Sequence, residues 1–189
     1  MATQVYDGLF VGSQYDIYKF AGSVLHCAKS PWFDQAAANI RLLEKLGDPR
    51  GVLAAPLYPS LLNGNVIQVE YNEMALNMVD SESPKYFGDE MVNAGLQFIS
   101  DRMAEGDPVL VHCNVGVSRS PSMAFLWMFE HGFLDDDYET ACEDFQDLYP
   151  DWFPGAGIKG YLDKRCRKPE PTNSDPRGWF IDGSFGEED

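Results

Sequence analysis

Short apolar runs alternate along this chain with longer stretches of mixed polarity. Gly8-Leu9-Phe10-Val11-Gly12 and Ser23-Val24-Leu25-His26-Cys27-Ala28 read as short strands, with a short helix between them over 14–20. Residues 34–46 are predicted as a helix capped by Asp34, with Gly47 just past its end and Pro49 beyond. Pro56, Pro59 and Asn63-Gly64 mark a loop, and 65–71 and 74–79 are extended, forming a hairpin around Asn72-Glu73. An amphipathic helix is expected over 89–103, capped by Asp89, with Met91, Val92, Leu96 and Ile99 on its apolar side. Asp107-Pro108 then turns the chain into a strand at 109–112. The helix expected at 121–129 is apolar nearly all round, which places it in the centre of the molecule. Two more helices are predicted: one from a cap at Asp137 to Leu148, closed by Pro150, and one over 157–165. Strands separated by helices predict an α/β fold, a central mainly parallel sheet flanked by helices.

The segment between strand 109–112 and the apolar helix carries the chemistry. It reads Val111-His112-Cys113-Asn114-Val115-Gly116-Val117-Ser118-Arg119-Ser120. A strand, a tight loop and a helix N-terminus form an anion cradle, because loop N–H groups and the helix dipole converge on one point. A cysteine at its base is expected as a thiolate. An arginine closing the loop grips two oxygens of a tetrahedral oxyanion with its planar fork, a geometry that lysine lacks. Gly116 supplies the backbone freedom for close approach to phosphate. The reaction this suggests is cleavage of a phosphate ester through a phosphocysteine.

Composition narrows the field. The chain has 189 residues, enough for one domain with a core, and 44% of them are hydrophobic. No apolar run is long enough to span a membrane, and residues 1–10 lack the pattern of a signal peptide. Cys27, Cys113, Cys142 and Cys166 show no metal-ligand spacing, and free thiols fit the cytoplasm. No metal or cofactor is expected. The net charge of −16 argues against nucleic-acid or acidic-membrane binding. Against that background Lys159, Lys164, Arg165, Arg167 and Lys168 stand together near one helix end, either as ordinary C-terminal cations or as a docking patch for an acidic partner. Domain limits are placed at 1–168, followed by an acidic tail over 169–189 that is rich in Pro and Gly and holds Trp179, Phe180 and Phe185 as candidate anchors. The sequence does not fix the oligomeric state.

The run from His112 to Pro121 resembles the His-Cys-x5-Arg-Ser/Thr motif of the cysteine-dependent protein tyrosine phosphatases, and its wording is similar to the dual-specificity branch. Val24-Leu25-His26-Cys27-Ala28-Lys29 with Pro31-Trp32 resembles microbial and phage-type members, which carry an insertion next, here about 33–65. The resemblance covers about residues 5–165 and implies a role for each matching position. Cys113 is the nucleophile and Arg119 the clamp. The phosphate loop consists of Asn114, Val115, Gly116, Val117, Ser118 and Arg119. Ser120 helps the sulfur leave the phosphoenzyme, its other reading being a helix cap. His112 orients the loop and supports the thiolate. The general acid is Asp80, on the segment Leu76-Asn77-Met78-Val79-Asp80, 33 residues before Cys113; Asp89, the nearest rival, reads as a helix cap. The family's downstream glutamine is missing from 150–157, which leaves open how the hydrolytic water is positioned. Two readings rest on strand position, each with its alternative: Lys29 at the mouth of the site as a substrate contact or as a solvated strand-end lysine, and Cys27 as a buried structural thiol or as a partner for Cys113 in a reversible disulfide.

The implied activity is hydrolysis of phosphotyrosine, phosphoserine and phosphothreonine esters in protein substrates. The same mechanism on a phosphoinositide or an RNA 5′-triphosphate is the alternative. The uncharged residues between Cys113 and Arg119 and the acidic surface disfavour those polyanions. A phospho-binding module without chemistry and a rhodanese-like sulfurtransferase are the remaining readings. Cys113, Arg119 and Asp80 all being present speaks against the first, and the His-Cys-x5-Arg-Ser run against the second.

Overall fold

A computed structural model describes residues 1–28, 66–69, 73–76 and 78–167. The expected helix at 34–46, the loop around Asn63-Gly64, Lys29 and the tail 169–189 lie outside the described residues. Six strands form one sheet: β1 (Thr3–Tyr6), β2 (Leu9–Ser13), β3 (Ser23–His26), β4 (Val66–Val69), β5 (Glu73–Leu76) and β6 (Val109–Cys113). Their order across the sheet is β1-β2-β6-β3-β5-β4. The four inner strands run parallel, β2 and β3 on either side of β6 and β5 beyond β3. Each edge is an antiparallel partner, β1 on β2 and β4 on β5. The two strands of the predicted hairpin therefore pair antiparallel, although Glu73, expected in its turn, is already the first residue of β5, and the mainly parallel sheet is as expected. β1 is not legible in Thr3-Gln4-Val5-Tyr6 because it is an edge strand with two exposed residues and one buried apolar side chain, Val5.

Among the described residues the α-helices are α1 (Asp89–Ala104), α2 (Arg119–Glu130), α3 (Tyr138–Leu148) and α4 (Ala156–Cys166). Three boundaries differ from those expected of the sequence. The helix expected over 14–20 is a single 3-10 turn, Ile17–Lys19. Helix α1 is capped by the backbone of Gly88, and Asp89 lies inside its first turn, where its carboxylate still favours the helix dipole. Helix α2 begins two residues before the predicted Pro121, so Ser118 is its cap and Ser120 its second residue. Asp137 caps α3 as predicted, accepting from Thr140 N–H at 3.0 Å.

Helix α2 is the structural centre. All ten residues from Arg119 to Met128 are buried. Phe125 stacks on Trp152 with centroids 4.8 Å apart and meets Phe145 edge-on at 5.6 Å. Truncating such a ring to alanine costs about 3–5 kcal/mol. This packing fixes the N-terminus of α2 against the carboxyl end of β6, and the loop between them lies where ligands bind in parallel α/β sheets.

Candidate active site

The loop from Cys113 to Arg119 turns its carbonyls outward. The Cys113 carbonyl accepts from His112 Nδ1 at 3.2 Å, that of Asn114 from Gln14 N–H at 3.4 Å, that of Gly116 from the Tyr149 hydroxyl at 2.9 Å, and that of Val117 from Phe153 N–H at 2.7 Å. In a trans peptide the following N–H points the opposite way. The amides of Asn114, Val115, Val117 and Ser118 therefore face the inside of the loop, as an anion-binding nest requires. The Ser118 hydroxyl accepts from Gly155 N–H at 2.9 Å, tying the loop to the start of α4. Gly116 holds φ at 94°, and a β-carbon there would lie 2.9 Å from the Gly12 carbonyl oxygen, so only glycine fits.

Cys113 sits at the base of this cradle, 2% exposed. Its Sγ accepts from Gly116 N–H at 3.2 Å and from the Ser120 hydroxyl at 3.3 Å. Burial pushes the thiol up. The Ser120 hydroxyl and N–H, the Arg119 charge and the Gly116 N–H outweigh it and hold the thiol below its ordinary value. The Ser120 hydroxyl also lies 3.3 Å from the Gly12 carbonyl, which competes with sulfur for its proton.

Arg119 is 4% exposed, far from the usual state of an arginine. Its Nη1 donates to the Met78 carbonyl at 2.8 Å and its Nη2 to Asp80 Oδ2 at 3.2 Å. Its Nε is buried with no hydrogen-bond partner among the described residues. The Nε edge of the guanidinium, with the second proton of Nη2, is thus left for two oxygens of an anion. Asp80 is joined to this site across 39 residues of chain, its side chain 72% exposed at the mouth.

Behind the loop lies a group that the motif does not announce. His112 is fully buried, and its Nε2 is 2.6 Å from Nδ1 of His26 on β3. Burial, with His26 adding to it, holds His112 well below the ordinary histidine range, so its ring is neutral. The carbonyl of Cys113 can only accept, so the His112 proton is on Nδ1, and His26 Nδ1 must donate to His112 Nε2. His26 Nε2 faces Glu73 Oε2 on β5 at 3.5 Å. Tyr149, Phe153 and Gly155 are likewise absent from the sequence-based expectations. No spacing rule links them to the loop, because they reach it only through the packing of α3 and α4. For His26 a signal exists: an ionisable residue inside an apolar strand next to the one carrying His112.

Cys27 follows His26, and its N–H donates to the His112 carbonyl at 2.8 Å. The register His26↔His112 sets Cys27 beside Cys113 on the neighbouring strand. Both are free and buried, and desolvation keeps Cys27 well above the ordinary thiol value.

Solved structures of similar fold exist. The Cydia pomonella PTP-2 phosphatase matches 91% of this chain and 94% of its own at a TM-score of 0.58 and 18% identity. DUSP15 matches 86% of this chain and 85% of its own, at a TM-score of 0.57 and 15% identity. The human tyrosine phosphatase-like serine/threonine/tyrosine-interacting protein matches 87% and 94%, at 0.55 and 17%. The fold is that of the dual-specificity phosphatases. In this phosphatase fold the loop Cys113–Arg119 occupies the end of the central strand β6, as the parallel topology demands. No protein-family model matches the chain, and no curated protein sequence matches it.

Proposed function

We propose that this chain is a cysteine-dependent dual-specificity protein phosphatase with its catalytic domain over 1–168. The observation that carries this reading is the buried Arg119 fork, with its Nε unengaged among the described residues, at the same inward-facing loop whose Gly116 and Ser120 donors favour the charged form of the Cys113 sulfur. In the first step the Cys113 thiolate attacks phosphorus, the P–O bond to the leaving group breaks, and Asp80 gives that oxygen its proton. The loop amides of 114–118 and Arg119 hold the phosphoryl oxygens while charge develops on them. In the second step water attacks phosphorus and gives a proton to the Asp80 carboxylate. The P–S bond breaks, the Ser120 hydroxyl donates to the returning thiolate, and phosphate leaves. Asp80 supplies the base, and the segment 150–157 holds no glutamine to position the water. Val115 and Phe153, 69% and 80% exposed, place apolar surface beside the loop for the carbon portion of the leaving residue.

Phosphorylated proteins are the substrate class, since the loop carries no lysine for a further phosphate and the chain is strongly acidic. Among the described residues no helix is long and apolar enough to cross a membrane, and a chemistry that depends on a free thiolate suits the reducing cytoplasm. The test is phosphate release from phosphotyrosine and phosphothreonine peptides, a phosphoinositide and a triphosphate-ended RNA, with Cys113→Ser alongside. Release from both peptides that disappears in the variant supports the proposal. Release only from lipid or RNA overturns the substrate class, and peptide binding without release makes the chain a phospho-binding module.

A further inference from the structure

A groove of about 660 Å³ lies between α4, the start of α1 and the 3-10 turn Pro84–Tyr86, and neither Cys113, Arg119 nor Asp80 lines it. Its walls carry Lys85, Lys164 and Arg165 against one carboxylate, Asp89, with Phe87 and Tyr161 at its base. In a chain with a net charge of −16 this is a local reversal of sign. The three cations differ in freedom. Arg165 is fixed, Nε on Glu130 at 2.6 Å and Nη1 on the Tyr161 hydroxyl at 2.7 Å, with Asp89 at 3.8 Å. Lys85 and Lys164 are exposed and form no ion pair among the described residues. Of the other cations in the cluster near the end of α4, Lys159 and Arg167 are neutralised by Asp163 and Glu139. Lys85 and Lys164 thus line the groove without an ion pair among the described residues, whereas Lys159 and Arg167 are each paired outside it.

The groove is also in line with the candidate active site. Helix α4 starts at the phosphate loop, where Gly155 holds Ser118. Gly157 then packs directly on the Ser81 carbonyl, one residue beyond Asp80, and Gly160 lies against the Pro84 ring, where an added β-carbon would be 3.4 Å away. Lys164 is two turns past Gly157 on the same face, a rise of about 10 Å. An extended peptide covers that span, and the step from Asp80 to it, in about four residues at ~3.3 Å each.

We propose that this groove receives an acidic stretch of the phosphoprotein substrate, about three to five residues from the phosphorylated residue, with Lys85 and Lys164 meeting its carboxylates. The proposal rests on the phosphatase reading above and adds a specificity site to it. Lys85 and Lys164 select through long-range attraction, so the preference is expressed in KM and weakens with salt.

The experiment compares three substrates on the full chain: a phosphotyrosine peptide with glutamates three to five residues to either side, its glutamine counterpart, and a small aryl phosphate. The acidic peptide is expected to be favoured about fivefold to tenfold in kcat/KM at low salt. In the double variant Lys85→Glu/Lys164→Glu that preference disappears or inverts, while the aryl phosphate rate is unchanged and shows the variant folded. Equal treatment of both peptides by the wild type, or a preference that survives in the double variant, overturns the proposal. Lack of turnover of every substrate refutes the phosphatase reading instead. Binding of the same two sequences, unphosphorylated and fluorescently labelled, then decides the groove: tighter binding of the glutamate form that is lost in the double variant sustains it, and equal binding sinks it.

Discussion

His26 Nδ1 and His112 Nε2 lie 2.6 Å apart on neighbouring parallel strands, with the two rings nearly perpendicular at a centroid distance of 4.6 Å. The pair links the interior of the sheet to the carbonyl of Cys113, and so to the orientation of the first peptide plane of the phosphate loop. His26→Phe keeps a ring in the strand and removes the donor. Loss of one buried hydrogen bond of about 1–2 kcal/mol predicts a fall in kcat of about tenfold. His26→Gln, which retains an N–H, recovers part of it. The pH profile of Cys113 alkylation separates this from a general loss of packing: its midpoint moves in His26→Phe if the relay acts through the loop, and stays in place if it does not.

Ser120 supplies the hydroxyl that Cys113 Sγ accepts in the resting site. Its loss leaves the charged form of sulfur less favoured, so the direction of the change is upward. In the wild type Cys113, held below the ordinary thiol value, is expected to be alkylated by iodoacetamide at a lower pH than Cys27, Cys142 and Cys166, which burial raises, the last to about 12. In Ser120→Ala the Cys113 midpoint rises toward the ordinary thiol value. A hydrogen bond to a charged group is worth about 1.5–3 kcal/mol, so phosphoenzyme breakdown slows about 10- to 100-fold and a burst of leaving group appears before steady state.

Gly157 is packed on the Ser81 carbonyl so closely that a β-carbon there overlaps it. Gly157→Ala therefore displaces the segment carrying Asp80 while leaving Asp80 in the sequence. The expected result is a rate profile like that of Asp80→Asn: a large loss on alkyl phosphates, whose leaving oxygen needs a proton, and a small one on aryl phosphates with acidic phenols. Equal losses on both would place Ser81 and Asp80 outside the proton transfer.

Cys27 and Cys113 are the residues that follow the last register pair of β3 and β6, His26↔His112. Mild peroxide is expected to oxidise the Cys113 thiolate to a sulfenic acid, with hydroxide released from the peroxide. The Cys27 thiol then attacks that sulfur, forming S–S and releasing water. Inactivation is expected to be reversed by dithiothreitol, with a Cys27–Cys113 peptide in the digest. In Cys27→Ser the same treatment is expected to inactivate irreversibly through higher oxidation of Cys113.

The roles that depend on neighbours within one segment are legible in the amino-acid sequence by itself. Gly116, Arg119 and Ser120 follow Cys113 within seven positions, and the apolar run after them dictates a buried helix whose N-terminus meets the loop. Spacing and hydropathy are local properties, and local backbone geometry follows from them. The strands β2, β3 and β6 are also legible as strands, because parallel strands buried on both faces read as short apolar runs, but their order across the sheet is not.

The tertiary structure alone decided which distant groups meet. Nothing in the composition of 149–155 marks Tyr149, Phe153 and Gly155 as the supports of the phosphate loop, and nothing near Lys85 announces Lys164 across the groove. Arg119 and Asp80 meet only because β5 and β6 flank β3 and end on the same side of the sheet. Such pairings depend on how helices of fixed volume pack against a twisted sheet. That is a property of the whole core, and no window of sequence contains it.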